Sequence, residues 1–84
     1  MSTDRAYWQI SIKDPSKVPE VMDKLNQEAG TTGVPLHPMG KKYYALAKSV
    51  EDRLIEKWGP KILETELNRL FYSGRYMESK RIRG

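Results

Sequence analysis

Apolar and polar residues alternate strictly over Tyr7-Trp8-Gln9-Ile10-Ser11-Ile12-Lys13. Trp8, Ile10 and Ile12 fall on one side, and Tyr7, Gln9, Ser11 and Lys13 on the other, which is the period of a half-buried β-strand. The period then changes. Asp14-Pro15-Ser16 has the composition of a turn, with Asp14 or Ser16 placed to cap a helix and Pro19 in its tolerant first turn. Val18, Val21, Met22, Leu25 and Ala29 recur at helical spacing, and Gly30 ends the run. Thr31 to Gly40 holds two prolines and two glycines and reads as a loop, with Val34, Leu36 and Met39 tucked against the core.

From Lys41 to Trp58 the spacing predicts the longest helix. Its stripe is Tyr43, Leu46 or Ala47, Val50, Leu54 and Trp58, with Glu51, Asp52, Arg53, Glu56 and Lys57 facing solvent. A competing reading makes Lys42–Leu46 a second strand and lets Ser49 cap a shorter helix. The adjacent tyrosines favour strand, whereas Ala45-Leu46-Ala47-Lys48 favours helix. Gly59-Pro60 is a sharp break. A third helix is expected from Pro60 to about Tyr72, with Ile62, Leu63, Leu67, Leu70 and Phe71 on its apolar face. Arg75 to Gly84 is expected as one or two helical turns or a mobile tail. The expected fold is mostly α with one N-terminal strand, in the order β-α-α-α. It forms a single small domain over 1–72 with a basic C-terminal extension over 73–84.

At 84 residues the core is marginal, and oligomerisation is a common remedy. The absence of cysteine rules out disulfides and thiolate metal sites. No apolar run is long enough to cross a membrane, and Met1-Ser2-Thr3-Asp4-Arg5 lacks the pattern of a signal peptide. These features are read as those of a soluble cytoplasmic protein. The net charge is +4, and its placement is uneven. Arg69, Arg75, Lys80, Arg81 and Arg83 face a single acid, Glu78, in the last sixteen residues, while charges elsewhere balance. Such a basic end suits a polyanion, and it is also what a solubilising tail would carry.

Catalytic chemistry is not visible. His37, the one histidine, lies between prolines in the predicted loop, with no His-x-x-x-His or Glu-x-x-His spacing. Asp14-Pro15-Ser16-Lys17 lacks the glycines of a phosphate loop. Glu64 and Glu66 point to different sides of a helix. Ser11, Ser16, Ser49, Ser73 and Ser79 have no general base beside them in sequence. The expectation is a binding protein, with no cofactor, no metal and no catalytic residue.

A lone strand leaves its backbone donors and acceptors unpaired. In a β-α-α-α chain the missing partner is a second copy, so a homodimer is expected. The strand-helix-helix part resembles the ribbon-helix-helix family of DNA-binding proteins, well over Ala6–Gly30 and loosely over Gly40–Trp58. The resemblance implies that two N-terminal strands pair into an antiparallel ribbon that enters the major groove of duplex DNA. It implies base-reading by Gln9, Ser11 and Lys13, with Tyr7 at the ribbon edge. It implies phosphate contacts from Lys41 and Lys42 at the start of the second helix. The basic residues Arg75, Lys80, Arg81 and Arg83 would add to these. The match is imperfect, because Pro35 and Pro38 lengthen the turn and the third helix lies outside the minimal fold. In longer members such an extension often binds a second protein, and Tyr72 and Tyr76 are the candidate anchors. No membrane contact is expected.

Two other readings stand beside this one. Tyr43, Tyr44, Trp58, Phe71, Tyr72 and Tyr76 are enough aromatics for a small accessory or inhibitory module docking on a larger complex. If Lys42–Leu46 is a strand, it can pair with Tyr7–Ile12 inside one chain, giving a small α+β monomer. The aromatics and basic end are also compatible with RNA binding.

Overall fold

The computed structural model describes residues 6–70 and 77–82. These residues form four strands and three α-helices: β1 (Tyr7–Ile12), α1 (Val18–Ala29), β2 (Leu36–Pro38), β3 (Tyr43–Leu46), α2 (Lys48–Trp58), α3 (Leu63–Leu70) and β4 (Met77–Ile82). The strands form one antiparallel sheet in the order β2-β3-β1-β4. With α2 and α3 taken as one helical crossover, the order is β-α-β-β-α-β, the split-βαβ plan.

The alternating segment forms β1 as its period requires, and its burial alternates with it. Its partners correct the expected fold. β1 is an interior strand, paired with β3 through Gln9↔Ala45, Ile10↔Tyr44 and Ser11↔Tyr43. On its other side it pairs with β4, from Tyr7↔Ile82 to Ile12↔Met77. Both edges of β1 are therefore filled by its own chain. The β-α-α-α order and the two-chain ribbon are overturned, and the orphan-strand reason for a homodimer goes with them. The α+β alternative with an intrachain strand pair is the arrangement that forms.

Three local corrections produce that outcome. Tyr43–Leu46 is a strand, so α2 starts only at Lys48, after Ala47 in extended conformation. Leu36–Pro38, inside the predicted loop, is a short strand on β3, with Leu36↔Leu46 in register. Met77–Ile82, read as helical turns or a tail, is the second partner of β1. Each is short or polar, so pairing rather than intrinsic preference holds it in the sheet.

The helices follow the sequence more closely. Asp14 accepts the Ser16 N–H at 3.0 Å and opens a 3-10 turn, Pro15–Lys17, that feeds α1. Val21, Leu25 and Ala29 are buried as predicted, with Val18 and Met22 packed at the margin. Gly30 closes α1 at φ 68°, a left-handed conformation costly for other residues. Asn26 then pins the following loop, accepting the Thr31 hydroxyl at 2.8 Å and donating to the Gly33 carbonyl at 3.1 Å. Lys57 of α2 ties the two helix ends together through the Glu28 carboxylate at 2.6 Å.

The core lies between one face of the sheet and the helices. Trp8, Ile10 and Ile12 of β1, with Leu36 and Leu46, meet Val21, Leu25, Val50, Leu54, Leu63 and Leu67. Of the predicted loop anchors only Leu36 is buried; Val34 and Met39 are more than half exposed. Ile62, expected on the apolar face of the third helix, precedes α3 and is 44% exposed. Glu51, expected in solvent, is buried and accepts from Arg81 of β4 at 3.0 Å. Among the described residues the helices thus cover one face of the sheet, and the opposite face carries none of the core.

Candidate nucleic-acid interface

Which side chains share the uncovered face follows from the register. Paired residues of neighbouring strands point to the same side, and every second residue along a strand does too. Gln9 therefore stands in a row with His37, Ala45 and Lys80, and Ser11 in a row with Tyr43 and Glu78. Tyr7 lies beyond Gln9 opposite Ile82, and Lys13 follows Ser11 at the other end. The four residues expected to read bases are thus together on one open surface. They form the face of a four-stranded sheet, not the tip of a two-stranded ribbon.

Two depressions mark that surface. One, about 410 Å³, is lined by Gln9, Ser11, Tyr43, Glu78, Ser79 and Lys80. The other, about 180 Å³, is lined by Tyr7, Gln9, Met39 and Tyr43. Gln9 and Tyr43 belong to both. Tyr43 is 48% exposed and Met39 54%, and the Met39 N–H donates to the Tyr43 carbonyl at 2.8 Å. An exposed phenol ring rising between two hollows is a surface on which a planar group can stack.

The cations gather at one end. Lys41 and Lys42 lie in the β2–β3 connection rather than at a helix N-terminus. The Ile12 N–H donates to the Lys42 carbonyl at 2.9 Å, bringing that connection beside the end of β1 and Lys13. Lys13 stands 3.9 Å from Glu78, with both side chains more than 60% exposed, so the pair is weak. Arg81 does not join the group. It points to the helix side, pairs with Glu51 and lies 5.6 Å from the Trp8 ring centroid. Arg75, Arg83, Tyr72 and Tyr76 lie outside the described residues.

Sequence reading missed Tyr43, Glu78, His37 and Met39 as residues of this face. For Tyr43 the signal was present in the adjacent tyrosines of the competing strand reading. Glu78 follows only from recognising Met77–Ile82 as a strand, whose alternation is masked by its charged composition.

Among the described residues no three His, Asp or Glu side chains come together as metal ligands. No described helix is long and apolar enough to cross a membrane. Comparison with models of protein families, with curated proteins and with solved structures finds no match to this chain.

Proposed function

We propose that this protein binds single-stranded nucleic acid across the open face of its sheet. The observation that carries the reading is the collection of Tyr7, Gln9, Ser11, Tyr43 and Lys80 on one uncovered surface with Lys13, Lys41 and Lys42 at its end. Exposed rings stack on unpaired bases, amides and hydroxyls meet their polar edges, and lysines meet the phosphates. Four-stranded sheets that stack bases on aromatic side chains are a recurrent plan for this task, an analogy of architecture alone.

The same geometry disfavours readout of duplex DNA by β1. The outer strand axes of a four-stranded sheet stand about 14 Å apart, against a major groove about 12 Å wide. Flanked on both sides, β1 would have to carry its neighbouring strands into the groove to reach the base edges. A cytoplasmic setting belongs to this proposal and is supported by the absence of cysteine. For the docking module suggested by the aromatic second half, Trp58 is only partly exposed beneath Lys57; Tyr72 and Tyr76 lie outside the described residues.

Fluorescence anisotropy with labelled single strands of mixed sequence, RNA and DNA, across a salt series tests the reading. Single strands should bind more tightly than duplex. Engagement of about three phosphates gives a slope of log K against log salt of about −2. Tyr43→Ala should cost about 1–3 kcal/mol of binding. Absence of binding at low salt, or equal binding by Tyr43→Ala, sinks the proposal.

A further inference from the structure

The larger depression sets a carboxylate, Glu78, and an ammonium, Lys80, on one face of the sheet. Register fixes its layout. Tyr43 and Glu78 flank Ser11 from opposite sides, and Lys80 lies beside Gln9 in the next row. Glu78 and Lys80 project from the same face of β4, about 7 Å apart along the strand. An ionised carboxylate only accepts hydrogen bonds and an ammonium only donates them. The contact of Glu78 with Lys13, at 3.9 Å and exposed, leaves its oxygens free to take further donors. Lys80 has no ion pair among the described residues.

We infer that this depression is a guanine subsite, a reading that rests on the single-strand proposal above. Guanine alone presents two adjacent N–H donors, at N1 and N2, next to a carbonyl acceptor at O6. The Glu78 carboxylate accepts from N1–H and N2–H as a bidentate pair, and the Lys80 ammonium donates to O6. Tyr43 supplies the ring against which the purine stacks, and Ser11 and Gln9 form the floor. The volume of about 410 Å³ admits a purine. The other bases fit less well. Adenine would set its N1 lone pair against the carboxylate. Cytosine brings one amino group beside a lone pair, and uracil flanks its single N3–H with two carbonyls. The phosphates on either side of the base meet the lysines at the end of the sheet, the charge complementarity that commits the site to a nucleic-acid strand.

Binding of short oligoribonucleotides, identical except for one central G, A, C, U or inosine, tests this by anisotropy. The G strand should bind about tenfold more tightly than the A, C or U strands. Inosine, which lacks the 2-amino group, should fall between. Glu78→Gln should abolish the preference, bringing all five strands to one level, with any gain from the lost negative charge shared by every strand. Glu78 is exposed, so the variant should keep the wild-type melting temperature. Lys13→Met should weaken all strands alike and keep the preference. Equal binding of all five strands by the wild type, with Tyr43→Ala still weakening them, overturns the guanine subsite and leaves the single-strand reading standing. A G preference that survives Glu78→Gln overturns it as well. Failure of every strand to bind removes both.

Discussion

Arg81 and Glu51 form an ion pair at 3.0 Å that joins β4 to α2, thirty positions apart in the chain. The guanidinium also lies 5.6 Å from the Trp8 ring centroid, so one side chain fastens the last strand to both the helical layer and the central strand. The partners are unequally exposed, Glu51 at 8% and Arg81 at 38%. Loss of Arg81 leaves a buried carboxylate without a partner, whereas loss of Glu51 leaves a guanidinium that can turn to water. Arg81→Met should destabilise by about 2 kcal/mol and Glu51→Gln by about 1 kcal/mol, reduced from fully buried values because Arg81 is partly solvated. The double variant should recover part of the loss. Urea midpoints for the four proteins measure this, and strict additivity would show that the pair is not coupled.

The neighbouring tyrosines of β3 should separate stability from binding. Tyr44 points to the helix side and packs at the margin of the core, while Tyr43 stands on the open face. Tyr44→Ala should lower stability by about 1–3 kcal/mol through lost packing. Tyr43→Ala should change it by less than about 0.5 kcal/mol while weakening single-strand binding. Equal stability losses would mean that the two rings are not divided between the faces.

The start of α1 should respond to acid. The Ser16 hydroxyl donates to the Asp14 carboxylate at 2.8 Å and the Ser16 N–H at 3.0 Å, and these bonds hold its pKa below the ordinary value of 3.8. A carboxylate with a lowered folded pKa contributes stability that is complete above the unfolded value and lost as pH falls through the folded one. Asp14→Ala should therefore melt below the wild type at pH 7, and the gap should close at a pH well under 3.8. A gap that persists in acid would mean that the charge on Asp14 has no part in the cap.

What was readable in the sequence depended on whether local pattern or distant pairing decided the structure. β1 alternates over its whole length, and α1 has a turn, an apolar stripe and a terminal glycine, so both were legible. Asp14, Pro15 and Ser16 even marked how the helix begins. β2 and β4 carry no such local signal. Leu36-His37-Pro38 is three residues long and ends in proline, and Met77–Ile82 is mostly charged or polar. Both are strands because a neighbour offers a hydrogen-bonding edge. The Tyr43–Leu46 ambiguity turned on the same point. Its helical residues and its tyrosines balance locally, and the free edge of β1 settles the outcome. The candidate face inherits this division. Gln9, Ser11 and Lys13 were found on β1, but their neighbours across the sheet were not.

The outer borders of the sheet bear on how the chain behaves in a crowd. Backbone groups of Leu36 and Pro38 point away from β3, as the inward bonds of Pro35 and Met39 require, and proline has no N–H to offer there. On the opposite border the outward Ser79 N–H is taken up by the Asn68 side chain of α3 at 3.3 Å. A neighbouring molecule seeking to add a strand meets a short border without a donor at Pro38, or one whose central donor is already engaged. Accretion of chain upon chain by strand addition at these borders is thereby discouraged, while the polar, aromatic-bearing face stays exposed among the described residues.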